Sequence, residues 1–75
     1  MTHKHDDFAI SDNEYNLITT LSNLLQAEDA LHKYIDDAKK SGDEDVAALF
    51  KELHDSNRKV AKRMREVLHA QIMNK

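Results

Sequence analysis

The chain has no cysteine, no proline and a single glycine among its 75 residues. Without cysteine, neither disulfides nor thiolate metal sites can form. Without proline, and with one glycine, long helices meet few residues that would interrupt them. Aromatic residues make up only 5% of the chain, whereas charged residues make up 33%. This composition is typical of an all-α protein.

Long apolar runs are also missing. No segment approaches the roughly 20 apolar residues that a membrane-spanning helix needs. The start, MTHKHDDFAI, lacks the apolar segment of a secretory signal. We therefore expect a cytoplasmic protein without a membrane partner. The formal net charge of −3 gives no general attraction to nucleic acid.

Local signals mark the ends of two helices. Ser11 and Glu14 form a capping-box pattern at the start of the first. Gly42, the only glycine, suits the left-handed position that follows a helix, and Asp43 then suits the cap of the next one. A connection this short makes the two helices antiparallel neighbours.

These signals divide the chain into a tail and a hairpin. The sequence predicts a disordered N-terminal tail over 1–10 and a helical hairpin over 11–73, with a helix at 12–41, a turn at 41–43 and a helix at 44–73.

Apolar residues recur at alternating steps of four and three in both helices, which is a heptad pattern. The first-helix row is Leu17, Leu21, Leu24, Glu28, Leu31, Ile35 and Ala38, and the second-helix row is Val46, Phe50, Leu53, Asn57, Val60, Met64 and Val67. Flanking rows are Ile18, Leu25 and His32 in the first helix, and Ala47, His54, Ala61 and Leu68 in the second.

The flanking rows make each apolar stripe wider than a two-stranded seam needs. A lone hairpin would leave much of such a stripe in water, at a cost of about 25 cal/mol per Å². We therefore expect two hairpins to form a homodimeric four-helix bundle. A two-helix monomer and a hairpin bound to another protein are the alternatives.

Polar residues interrupt both rows at one level. Glu28 and Asn57 lie at nearly equal distances from the turn, and His32 and His54 are their near neighbours. A buried carboxylate must be protonated, paired or bound to metal. One interpretation is a polar core layer of Glu28 and Asn57 that fixes register and oligomeric state, with Glu28 paired to His32 or Asn57.

Two other interpretations of these side chains stay open. Imidazole and carboxylate groups are ligands for zinc, iron and manganese, so Glu28, His32 and His54 form a candidate metal site between subunits. Alternatively, Glu28 and the histidines face water at a splayed interface.

The segment LITTLSNLLQAEDALHKYIDDAKKSGDEDVAALFKELHDSNRKVAKRMREVL resembles one helical hairpin of the ferritin-like superfamily. The nearest likeness is to a small bacterial group of ferritin-like bundles. The resemblance implies that Glu28 is the carboxylate that the first helix gives to a di-iron centre. The Glu-x-x-His motif of the second helix is absent, because Asn57 and Val60 occupy its two positions. This departure argues against ferroxidase or peroxidase activity.

A basic stretch, RKVAKRMR, begins at Arg58. Its charged residues flank the apolar row and suit a solvated face, and no aromatic residue lies between them for base stacking. Nucleic-acid binding is therefore disfavoured.

Two function classes remain. The first is a non-enzymatic, homodimeric interaction or assembly module. The second is a ferritin-like metal-binding protein with an intersubunit Glu/His site. The missing Glu-x-x-His motif favours the first, and we do not expect an enzyme.

Overall fold

The computed structural model describes residues 10–74, which form two α-helices joined by a tight turn. Helix α1 spans Asp12–Lys40 and helix α2 spans Glu44–Met73. The helices pack against each other in a hairpin with extents of 52 × 22 × 16 Å. The predicted all-α hairpin is confirmed. The predicted tail over 1–10 lies outside the described residues, apart from Ile10.

The cap of α1 has a simple physical basis. The Ser11 hydroxyl accepts a hydrogen bond of 3.2 Å from the backbone N–H of Glu14. This bond satisfies one of the four N–H groups that the start of a helix leaves without an intrahelical partner. At the other end, α1 stops at Lys40, one residue before the predicted end.

The turn between the helices is a Schellman motif. Gly42 has a φ of 77°, so its N–H reaches the Lys39 carbonyl at 3.1 Å, and the Asp43 N–H reaches the Ala38 carbonyl at 2.9 Å. The Asp43 carboxylate then accepts a bond of 3.2 Å from the Val46 N–H and caps α2. Ending one helix and starting the next within three residues reverses the chain.

The surface where α1 and α2 meet, called the seam below, uses the predicted row of α1, together with three residues of the predicted α2 row and the whole flanking row of α2. The α2 side chains that are buried or half-buried there are Ala47, Phe50, His54, Asn57, Ala61, Met64 and Leu68. Four residues of the predicted α2 row are instead exposed, namely Val46 at 37%, Leu53 at 45%, Val60 at 48% and Val67 at 41%. These four residues are therefore not part of the core within one hairpin, and their burial by a second copy stays a prediction.

Small side chains explain why α2 turns this face towards α1. Ala38, Ala47 and Ala61 are each exposed by 7% or less, and Leu31 is the only larger apolar side chain in residues 10–74 that is equally buried. Alanine lets two helix backbones approach closely, whereas a row of valines and leucines at the same positions would hold them apart. The hairpin therefore closes on its alanines and leaves the valine row outside.

The apolar rows that remain outside the seam lie on opposite faces of the hairpin. On one face, Val46 lines a groove with Tyr34, and Val67 lines a groove with Thr20. On the other face, Leu25 lines a groove with Arg58 and Arg65. The sequence predicts one broad apolar stripe, whereas in the structure the apolar rows outside the seam lie on two opposite faces of the hairpin.

We name these faces by their residues. The valine face consists of Val46, Leu53, Val60 and Val67 of α2 with Thr20, Ala27 and Tyr34 of α1, each set spaced by seven residues. The arginine face consists of Ile18, Leu25 and His32 of α1 with Arg58, Lys62 and Arg65 of α2.

Candidate functional site: a buried Glu–His layer

A carboxylate lies inside the seam, in the middle of the apolar row of α1. Glu28 is only 7% exposed, and it lies between Leu24 and Leu31 in that row. Opposite it, on α2, His54 is 9% exposed. The His54 Nε2 atom is 3.2 Å from the Glu28 Oε2 atom. Two titratable groups from different helices therefore meet in a region where burial of charge is costly.

His54 also contacts His32, its neighbour from α1. The two Nε2 atoms are 3.1 Å apart, and the rings meet edge-on with centroids 4.5 Å apart. In this pair one nitrogen donates a proton and the other accepts it. His32 is an exposed residue on the side of the arginine face. The layer thus runs from the buried carboxylate, through His54, to the surface.

The bonding of Glu28 is incomplete. Its Oε2 atom is within ion-pair distance of His54, yet neither Oε1 nor Oε2 has a hydrogen-bond partner of suitable geometry. Both His32 and Glu28 lie within 3.2 Å of His54 Nε2, which carries one hydrogen at most and so cannot donate to both. The Glu28 carboxylate therefore keeps unused acceptor capacity.

The structure brings together three of the four predicted polar residues. Glu28, His32 and His54 form the layer, while Asn57 lies half-buried in the same seam, almost one turn further along α2. The predicted partners of Glu28 were His32 and Asn57, and the contact at 3.2 Å is instead with the Nε2 atom of His54. The interpretation in which Glu28 and both histidines face water does not hold for Glu28 or His54, which are buried.

The metal site of Glu28, His32 and His54 stays a prediction. Residues 10–74 contain no group of three or more His, Cys, Asp or Glu side chains arranged to hold a metal ion. In the layer, the two Nε2 atoms face each other across a hydrogen bond, so their electron pairs are not directed at a common point. Iron, zinc and manganese remain the metals that this donor set would favour.

The basic stretch borders the layer on the arginine face. A groove of about 640 Å³ there is lined by Leu25, Glu28, Asp55, Arg58, Lys59, Ala61, Lys62 and Arg65. Four cations thus border a groove with an apolar and partly acidic floor. These four residues are exposed, in agreement with the solvated face that the sequence predicts.

Neither α1 nor α2 is apolar enough over its length to cross a bilayer. No protein-family model, curated protein or solved structure matches this chain. The likeness to ferritin-like hairpins therefore stays a prediction.

Proposed function

We propose that this chain is a non-enzymatic assembly module that pairs with a second copy to form a four-helix bundle. One observation carries the proposal. The apolar side chains buried within the described hairpin are three alanines and one leucine, while four larger ones stand exposed at a spacing of seven residues on α2. A regular exposed row of this kind is typical of a helix that packs against a partner.

The free energy gained by covering this row is comparable to the cost of association. Full burial of a valine or leucine side chain contributes about 1.5–3 kcal/mol. The four valine-face side chains of α2 are 37–48% exposed, so covering them in both copies contributes roughly 5–10 kcal/mol. Association costs about 4–15 kcal/mol. We therefore expect a reversible dimer that dissociates on dilution.

In this proposal the Glu–His layer sets the register of the hairpin. A slip of α2 by one heptad would replace His54 by Ala47 or Ala61 opposite Glu28 and leave the buried carboxylate without its imidazole neighbour. A buried polar group left without a partner costs about 1–3 kcal/mol, and the slip would also put Asn57 in the place of Phe50 or Met64 in the seam. Polar groups within an apolar seam commonly specify alignment in this way.

The test is molar mass by light scattering, combined with thermal unfolding at several protein concentrations. The proposal predicts twice the chain mass of 8.7 kDa and a melting temperature that rises with concentration, because association stabilises the folded state. A mass of one chain with a melting temperature independent of concentration would contradict it. Larger assemblies would show that the second face also pairs.

A further inference from the structure

The charges of the hairpin are separated along its length. The half nearer the turn, residues 27–57, contains nine acidic and four basic side chains, a net charge of −5. The half at the open end, residues 10–26 and 58–74, contains three acidic and five basic side chains, a net charge of +2. The hairpin therefore has an acidic end and a basic end.

Two symmetric arrangements bring one valine face against another. A twofold axis along the hairpin places both turns at the same end, with α2 of each copy over α1 of the other. A twofold axis across the hairpin places the turns at opposite ends, with α2 over α2 and α1 over α1. Both are closed, isologous dimers, and both leave neighbouring helices antiparallel.

Charge distinguishes the two arrangements. With both turns at one end, the acidic halves face each other and so do the basic halves, and like charges at an interface disfavour that pairing. With the turns at opposite ends, each acidic half faces a basic half. Electrostatic attraction then favours the second arrangement in both halves of the interface.

The apolar residues favour the same arrangement. With the turns at opposite ends, Val46 lies over Val67 of the partner subunit, and Leu53 lies over Val60 of the partner subunit, so apolar side chains meet along the whole row. With both turns at one end, the α2 row would meet the α1 side of the valine face, where Thr20 is polar and Ala27 is small. Near the twofold axis, Ala27 would let the α1 helices approach closely.

We infer that two copies pair through their valine faces with their turns at opposite ends. This inference rests on the proposed homodimer and adds its face and orientation. The broad side of the hairpin measures 52 × 22 Å, which is enough for the ~800 Å² per partner that a stable interface buries.

Disulfide trapping tests the orientation, because the natural chain has no cysteine. Val46→Cys and Val67→Cys chains, one carrying an affinity tag, are unfolded together, refolded and oxidised mildly. The inference predicts that the 46–67 cross-link forms many-fold faster than the 46–46 cross-link of the Val46→Cys chain alone. A matched control mixes Val67→Cys with Leu25→Cys, which lies on the arginine face and is expected not to cross-link.

Each outcome has a definite meaning when the mass of the uncross-linked proteins is measured in parallel. A dimeric mass with dominant 46–46 cross-links, or with no 46–67 cross-link, overturns the orientation and leaves the homodimer in place. Dominant cross-linking through Leu25→Cys overturns the choice of face. A monomeric mass overturns the proposed function itself.

Salt gives a second readout that needs no substitution. Added salt screens charges, so it weakens a dimer whose opposite charges face each other and strengthens one whose like charges do. We expect the dissociation constant to rise several-fold as salt is added, and a fall would overturn the orientation.

Discussion

The substitution Leu53→Ala measures the contribution of the valine face directly. Leu53 lies near the middle of the exposed α2 row and is 45% exposed. Truncation to alanine removes three carbon atoms, which are worth about 0.8 kcal/mol each when fully buried. Scaled by the exposed fraction and counted in both copies, the loss is roughly 2 kcal/mol per dimer, or about 30-fold in the dissociation constant.

Leu25→Ala is the matched control. Leu25 is the same residue type and is 49% exposed, but it lies on the arginine face. Sedimentation equilibrium of both variants gives their dissociation constants. We expect Leu53→Ala to weaken the dimer about 30-fold and Leu25→Ala to leave it within about 2-fold of the natural chain. Equal effects of the two variants, or a larger effect of Leu25→Ala, would refute the assignment of the interface.

Three further predictions concern the hairpin itself. Glu28→Leu removes a buried carboxylate without hydrogen bonds and should raise the free energy of unfolding by about 1–3 kcal/mol in urea titrations. The control, Glu52→Leu at an exposed position, should change the free energy of unfolding little. A destabilised Glu28→Leu protein would contradict the description of Glu28 as a buried carboxylate without hydrogen bonds. Gly42→Ala should lower the free energy of unfolding by about 1 kcal/mol, and Gly42→Asn should lower it less. The reason is backbone strain, because an added Cβ meets open space there but φ is 77°. An unchanged melting temperature for Gly42→Ala would show that the turn relaxes. Zinc, iron or manganese should leave the melting temperature unchanged, and a rise that His32→Ala abolishes would establish the metal site instead.

The turn and the capped helix starts were predictable because their signals are local. A serine before a helix, the only glycine after one and an aspartate before the next each act within three or four residues. Gly42, for example, has a positive φ because it follows the end of a helix, as the sequence predicts. No long-range contact is needed to place these features.

The face that α2 turns towards α1 was not predictable in the same way. Rows spaced by seven residues look equivalent along a helix, and ranking them by hydrophobicity selects valine over alanine. The seam instead uses Ala47 and Ala61, because closeness of approach decides how two helices pack. That property depends on both helices at once.

The candidate site was predictable only in part, because its α1 residue follows from the sequence and its α2 residue depends on how the helices pack. The burial of Glu28 follows from its place in the α1 row, which the sequence identifies. Its contact with His54 depends on which face α2 turns towards α1. The recurrence of Ala47, His54, Ala61 and Leu68 at intervals of seven was the available signal, and small residues on such a row indicate a close helix contact.

Sedimentation equilibrium of the natural chain over a wide range of concentrations tests the central claim most directly, namely that a second copy covers the valine face. We expect a molar mass that approaches twice 8.7 kDa as concentration rises and falls towards that of one chain on dilution. A cooperatively folded protein that keeps the mass of one chain at every concentration would contradict it.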